Sequence, residues 1–177
     1  MIQSPAGRVA YLTWQLAQAV GARVEHDVRD LELSGAQTLA LLLLALSPGS
    51  TVADLTRRTT MTPQAMGGAV NGLIAKGWVV AVPAEKDRRA KELSLSSEGI
   101  AMAARVEEVV VDINEDLLST LDVEQRSIAL DMVTRMLRRF NPEALALTVG
   151  GPPPTVPKDG SGPADPPALR FPNPDSR

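Results

Sequence analysis

The chain has 177 residues, a formal net charge of −3, one histidine and no cysteine. That length suits one domain with a real core. The missing thiols exclude a disulfide framework, a thiolate metal site and a cysteine redox switch, and the lone His26 excludes a histidine-rich metal site. Aromatic residues make up only 3%, so Leu, Val, Ala, Ile and Met must build the interior. No apolar run nears the ~20 residues of a membrane-spanning helix. The first residues lack the basic-then-apolar pattern of a secretion signal. A cytoplasmic protein without metal or cofactor is expected, and no membrane partner.

Residues 5 to 31 read as one long helix, because Val9, Leu12, Leu16, Val20, Val24, Val28 and Leu31 recur at spacings of three and four. Ser34 is placed to cap a second helix over about 35 to 47. That helix contains Leu39-Ala-Leu-Leu-Leu-Leu-Ala-Leu46 and is apolar almost all round, the pattern of a buried central helix. Pro48-Gly49 stops it. Thr51, with Asp54 three positions on, starts a third helix through an imperfect capping box. After the turn Thr59-Thr60-Met61, Thr62 and Pro63 open a fourth helix as cap and first helical residue.

The fourth helix has two unlike faces. Met66, Ala69, Val70 and Leu73 form an inward stripe. At ~100° per residue the opposite face carries Gln64, Gly68, Asn71 and Ala75. A carboxamide can donate to adenine N7 while accepting from its N6 amine, so Gln64 and Asn71 suit base reading. Gly67, Gly68 and Gly72 together cost the helix ~3 kcal/mol relative to alanine, a loss that tertiary packing must offset. Gly77 ends the helix. Two strands, Trp78-Val-Val-Ala-Val82 and Glu92-Leu-Ser-Leu95, then flank the basic turn Ala84-Glu-Lys-Asp-Arg-Arg-Ala-Lys91. From Asp54 to Lys91 the chain carries seven basic residues (Arg57, Arg58, Lys76, Lys86, Arg88, Arg89, Lys91) against Asp54, Glu85 and Asp87. Positive charge is thus concentrated in one segment of an acidic protein. A helix-turn-helix followed by an arginine-tipped hairpin suits a duplex held at two places, with one helix in the major groove and arginines in the adjacent minor groove.

A long helix is expected from Ser96 to about Leu118, with Ile100, Ala103, Val106, Val110, Ile113 and Leu117 on one face. Asp122 caps a last helix bearing Ile128, Met132, Val133, Met136, Leu137 and Phe140, which ends at Asn141-Pro142. These terminal helices carry more apolar stripe than one small domain can bury, so dimerisation is expected. Ten of the fourteen prolines lie after Asn141. That composition cannot build a core, and residues from about 149 onward are expected to be disordered or extended.

Together these residues resemble the MarR family of winged-helix transcription regulators, over roughly residues 8 to 140. The strongest element is Lys86-Asp87-Arg88-Arg89-Ala90 followed by Leu93-Ser-Leu95-Ser-Ser-Glu98-Gly99, similar to the family's wing and the start of its next helix. Leu33-Ser34-x-x-Gln37 and Gly77-Trp78-Val79 fit the same pattern. The resemblance implies a mostly α fold with a small β-hairpin wing, a winged helix-turn-helix with N- and C-terminal dimerisation helices. It implies a homodimer on a near-palindromic stretch of double-stranded DNA, commonly a repressor relieved by a small, often aromatic, acidic effector. Residues 1–33 would then be the N-terminal dimerisation helix, 34–98 the DNA-binding region, 99–141 the C-terminal dimerisation helices and 142–177 the proline-rich tail. Arg89 is expected in the minor groove, with Asp87 orienting arginines at the wing base. Thr62, Gln64, Gly68 and Asn71 fall on the recognition helix, and Lys76 and Arg88 complete the DNA-facing set. Two places depart from the family. Gly67-Gly68 stands where a threonine and an arginine are common, and Val80-Ala81-Val82 replaces the usual Glu-Arg pair of the first wing strand.

Tyr11, Trp14 and His26 are the candidates for an effector pocket beneath the terminal helices, since aromatic rings with polar tips suit aromatic ligands; plain packing is the competing reading. No catalytic set can be assembled. One histidine does not make a triad, Glu107-Glu108 and Glu115-Asp116 do not form a working carboxylate pair, and no glycine-rich phosphate loop occurs. The rival to DNA binding is a winged helix used for protein interaction or dimerisation, which the acidic net charge and the two glycines favour.

Overall fold

Five side-chain caps start five of the helices. In this computed structural model, which describes residues 8–84 and 90–145, Ser34, Thr51, Thr62, Ser96 and Asp122 each accept the backbone N–H three residues on. Those bonds open α2 (Gly35–Leu46), α3 (Val52–Arg57), α4 (Pro63–Ala75), α5 (Ser97–Leu118) and α6 (Val123–Phe140). Among the described α-helices, α1 (Val9–Asp27) alone begins without one.

The first helix is shorter than its apolar spacing suggests. It stops at Asp27, and a 3-10 turn over Arg29–Leu31 follows. Glu32 then takes the left-handed conformation, with φ 55°, which aims the chain into α2. No glycine or proline marks this break. Val28, inside the expected helix, is instead fully buried in the core.

The second helix is the central one. Ala40, Leu41 and Leu44 are wholly buried, and α2 packs on α4, α5 and the hairpin. Around it lie Val28, Leu55, Met66, Val70, Leu73, Leu93 and Val106. Each large side chain so buried contributes about 1.5–3 kcal/mol. The hairpin is antiparallel, β1 (Val79–Pro83) on β2 (Lys91–Leu95), with Val79 opposite Leu95 and Ala81 opposite Leu93. Its free edge is partly covered by the α2–α3 loop. Gly49 N–H donates to the Leu93 carbonyl at 2.8 Å and Leu93 N–H to the Ser50 carbonyl at 3.0 Å.

The terminal helices project from this body. No residue of α1 or α6 is buried. Two ion pairs hold them to α5: Arg23 with Asp116 at 3.1 Å and Arg126 with Glu115 at 2.9 Å.

Candidate nucleic-acid interface

The helix-turn-helix is built by local polar bonds. Thr51 and Asp54 cap one another at the start of α3: the Thr51 N–H donates to the Asp54 carboxylate at 2.8 Å, and the Asp54 N–H donates to the Thr51 hydroxyl at 3.2 Å. Partial burial works against the Asp54 charge, but the two Thr51 bonds and the Arg57 guanidinium outweigh it and hold the carboxyl below its ordinary range. Arg57 is therefore paired with Asp54. Arg58 keeps Nη1 buried with no hydrogen-bond partner among the described residues. In the turn, Met61 N–H donates to the Thr59 hydroxyl at 3.2 Å.

On α4 the two faces separate as the spacing requires. Met66, Ala69, Val70 and Leu73 are buried, whereas Gln64, Gly68, Asn71 and Ala75 are all exposed along one side. Thr62 is exposed too, but its hydroxyl caps the helix by accepting from Ala65 N–H at 3.2 Å. The three glycines differ. A side chain on Gly67 or Gly68 would meet open space, whereas a methyl group on Gly72 would collide with Nε2 of Gln37. Packing explains Gly72 and leaves Gly67 and Gly68 without an internal reason.

Beyond the helix, one knot joins α4, the hairpin and α5. Gly77 has φ 74°, its carbonyl accepts the Ser96 hydroxyl at 2.7 Å, and the Trp78 carbonyl accepts Ser96 N–H at 3.0 Å. A Cβ on Gly99 would strike that Trp78 carbonyl. The wing leaves the body from this knot, and Ala84 N–H to the Ala90 carbonyl at 3.0 Å is its last described rung. The tip candidates Asp87, Arg88 and Arg89, with Glu85 and Lys86, lie outside the described residues, as does the tail from residue 146.

Lys76 is placed differently from Gln64 and Asn71. Its ammonium donates to the Glu32 carbonyl at 2.8 Å and lies 4.9 Å from the centre of the Trp78 ring. The effector candidates are not brought together. Tyr11 and Trp14 sit a turn apart, rings 6.4 Å between centres, but His26 lies twelve residues farther along α1, roughly 18 Å at 1.5 Å per residue. All three are exposed. A described cleft lies instead at the α1–α2 junction, lined by Glu25, Arg29, Leu33, Ser34 and Gly35. Among the described residues no cluster of acidic or histidine side chains could hold a metal ion, and no helix is long and apolar enough to cross a membrane.

Residues 31–90 match the family model described as MarR family. Over that stretch the chain is similar to the MarR family. The HTH-type transcriptional repressor Rv2887 of Mycobacterium tuberculosis is 28% identical over 118 residues, 67% of this chain and 85% of the repressor. The structure of the M. tuberculosis MarR family protein Rv2887 in complex with p-aminosalicylic acid superposes with a TM-score of 0.63 at 25% identity, covering 73% of this chain and 98% of that one. A mutant MarR from E. coli complexed with operator DNA gives 0.65 at 19% identity, covering 73% and 93%. The fold is the expected one, mostly helical with a two-stranded hairpin. Within this winged helix, the motifs that carried the resemblance are joints: Ser34 and Gln37 cap α2, and Gly77, Trp78, Ser96 and Gly99 close the knot behind the wing.

Proposed function

We propose that this chain is a sequence-specific DNA-binding transcription regulator, a repressor relieved by a small aromatic or acidic effector, which acts as a homodimer on a near-palindromic operator. The observation that carries the reading is the division of α4. Its entire apolar stripe is buried, and Gln64, Gly68 and Asn71 are left exposed on one continuous face. That face has the residue types that read base edges, next to a hairpin whose tip sequence holds Arg88 and Arg89. Phosphate neutralisation would supply most of the affinity, with discrimination from α4 and the wing. The M. tuberculosis relative is named a repressor and was solved with p-aminosalicylic acid, and the E. coli neighbour was solved on operator DNA. Both support the reading.

Exposed Val80 and Val82 on the outer side of β1 favour the alternative of a protein-interaction winged helix. Selection of duplexes from a random pool, followed by gel shifts at several salt concentrations, separates the two. A regulator enriches a near-palindromic sequence and binds it more weakly as salt rises. Failure to enrich any sequence would refute the proposal.

A further inference from the structure

Lys76 stands among the basic residues of the DNA-binding segment, yet its ammonium already has partners within the chain. It donates to the backbone carbonyl of Glu32 at 2.8 Å, and the face of the Trp78 ring lies 4.9 Å away. The Glu32 carboxylate, 3.9 Å away and 88% exposed, adds little. A cation held by a carbonyl and an aromatic face is a directional arrangement. It joins the last turn of the recognition helix to the residue whose left-handed backbone turns the chain into α2.

A second contact lies one turn back on the same side of α4. Gly72 and Lys76 are four residues apart, hence neighbours on the helix surface. Gln37 lies over Gly72 so closely that any β-carbon there would displace it. The Gln37 side-chain oxygen accepts from Ser34 N–H at 3.1 Å, and the Gln37 backbone N–H donates to the Ser34 hydroxyl at 3.2 Å. The linker and the first turn of α2 are therefore clasped to α4 at two points. The cleft lining at Arg29, Leu33, Ser34 and Gly35 belongs to that same linker segment.

We propose that Lys76 is a positioning residue rather than a phosphate contact: with Gln37 over Gly72 it straps the recognition helix to the α1–α2 linker and fixes the pose in which α4 meets DNA. The strap carries any displacement of the linker into that pose. The second half of this inference rests on α4 being the DNA-reading helix; the strap itself does not.

The test compares Lys76→Met, which keeps the stem over Trp78 and removes the charge, with Lys76→Arg, which restores a cationic donor. Without DNA, Lys76→Met should speed hydrogen exchange at the Ser34 and Gln37 amides about five-fold or more, through local opening, and Lys76→Arg should not. With DNA, the log–log salt slope on a random-sequence duplex should stay as in the parent. The ratio of affinities for a pool-selected duplex over that random duplex should fall about ten-fold in Lys76→Met and recover in Lys76→Arg. A slope lowered by about 0.9, the signature of one lost phosphate contact, overturns the proposal. So does unaltered exchange at both amides, or an unchanged affinity ratio. If the parent enriches no sequence at all, the DNA-reading proposal fails while the exchange measurement still decides the strap.

Discussion

Three glycines within six residues of one helix have different reasons, and substitution separates them. Alanine at Gly67 or Gly68 meets nothing, so each should raise stability by ~1 kcal/mol through helix propensity. Alanine at Gly72 pushes Gln37 out of its capping position and should instead destabilise by about 1 kcal/mol or more. Denaturant titration of the three variants checks the opposite signs. At Gly68 the gain should come with weaker DNA binding, since a side chain there stands between the backbone and a closely approaching duplex; equal affinity would mean the glycine serves no contact. Glu107 makes a second residue-scale case. Burial pushes its carboxyl above the ordinary glutamate value, and one of its oxygens is buried without a partner among the described residues. The folded state then holds that proton more tightly than the unfolded chain, so the charge lowers stability as pH rises through the raised value. Glu107→Gln should melt higher than the parent at neutral pH, and the advantage should vanish below about pH 4, where both chains are neutral at this position. Melting curves at the two pH values decide it.

The element that depends most on a single charge is α3, six residues long and capped at Thr51 by Asp54. The Asp54 pKa is lowered in the folded chain, so its contribution is complete above the ordinary aspartate value, about 3.9, and is lost as pH falls through the lower folded one. Asp54→Ala should cost about 1 kcal/mol at pH 7, a difference that narrows on acidification and that paired melts would follow. On α4, alanine at Gln64 or Asn71 should flatten preference among operator variants more than it lowers affinity for random duplex; equal losses on both would leave these residues as phosphate contacts at most. These helices are legible in the sequence, because caps and stripes are local. Ser34, Thr51, Thr62, Ser96 and Asp122 all cap, and Met66, Ala69, Val70 and Leu73 are the buried side of α4. The end of α1 was not legible: the three–four spacing runs on through Val28 and Leu31 although the helix stops at Asp27, and only packing in three dimensions draws Val28 away. The partner of Lys76 was not legible for a related reason. The charge and position of Lys76 suggested the duplex, and its partner lies 44 residues away in sequence. Gly72 carried no local sign of Gln37 either, and Ser96 and Gly99 marked only the start of α5, not the knot they close with Gly77 and Trp78.

At the scale of the whole molecule, the helix-turn-helix has a core and the arms do not. Residues of α6 face solvent almost throughout; Val123 is 83% and Phe140 89% exposed, and Ile128, Leu130, Met132 and Val133 are each about half exposed or more. With α1 equally bare, a second copy is the expected cover. Light scattering at micromolar protein should give twice the chain mass without added effector, and the monomer mass would refute it. An eighteen-residue helix with no buried residue is marginal in water, so its helical state would depend on meeting another chain. Folding and encounter would then be one equilibrium. Dilution would erode the ellipticity of the arms before that of the head, and the melting point would climb with protein concentration, as mass action requires. The abundance of the chain would thereby enter its competence twice, once in how often it reaches a site and once in how much of it is a finished protein.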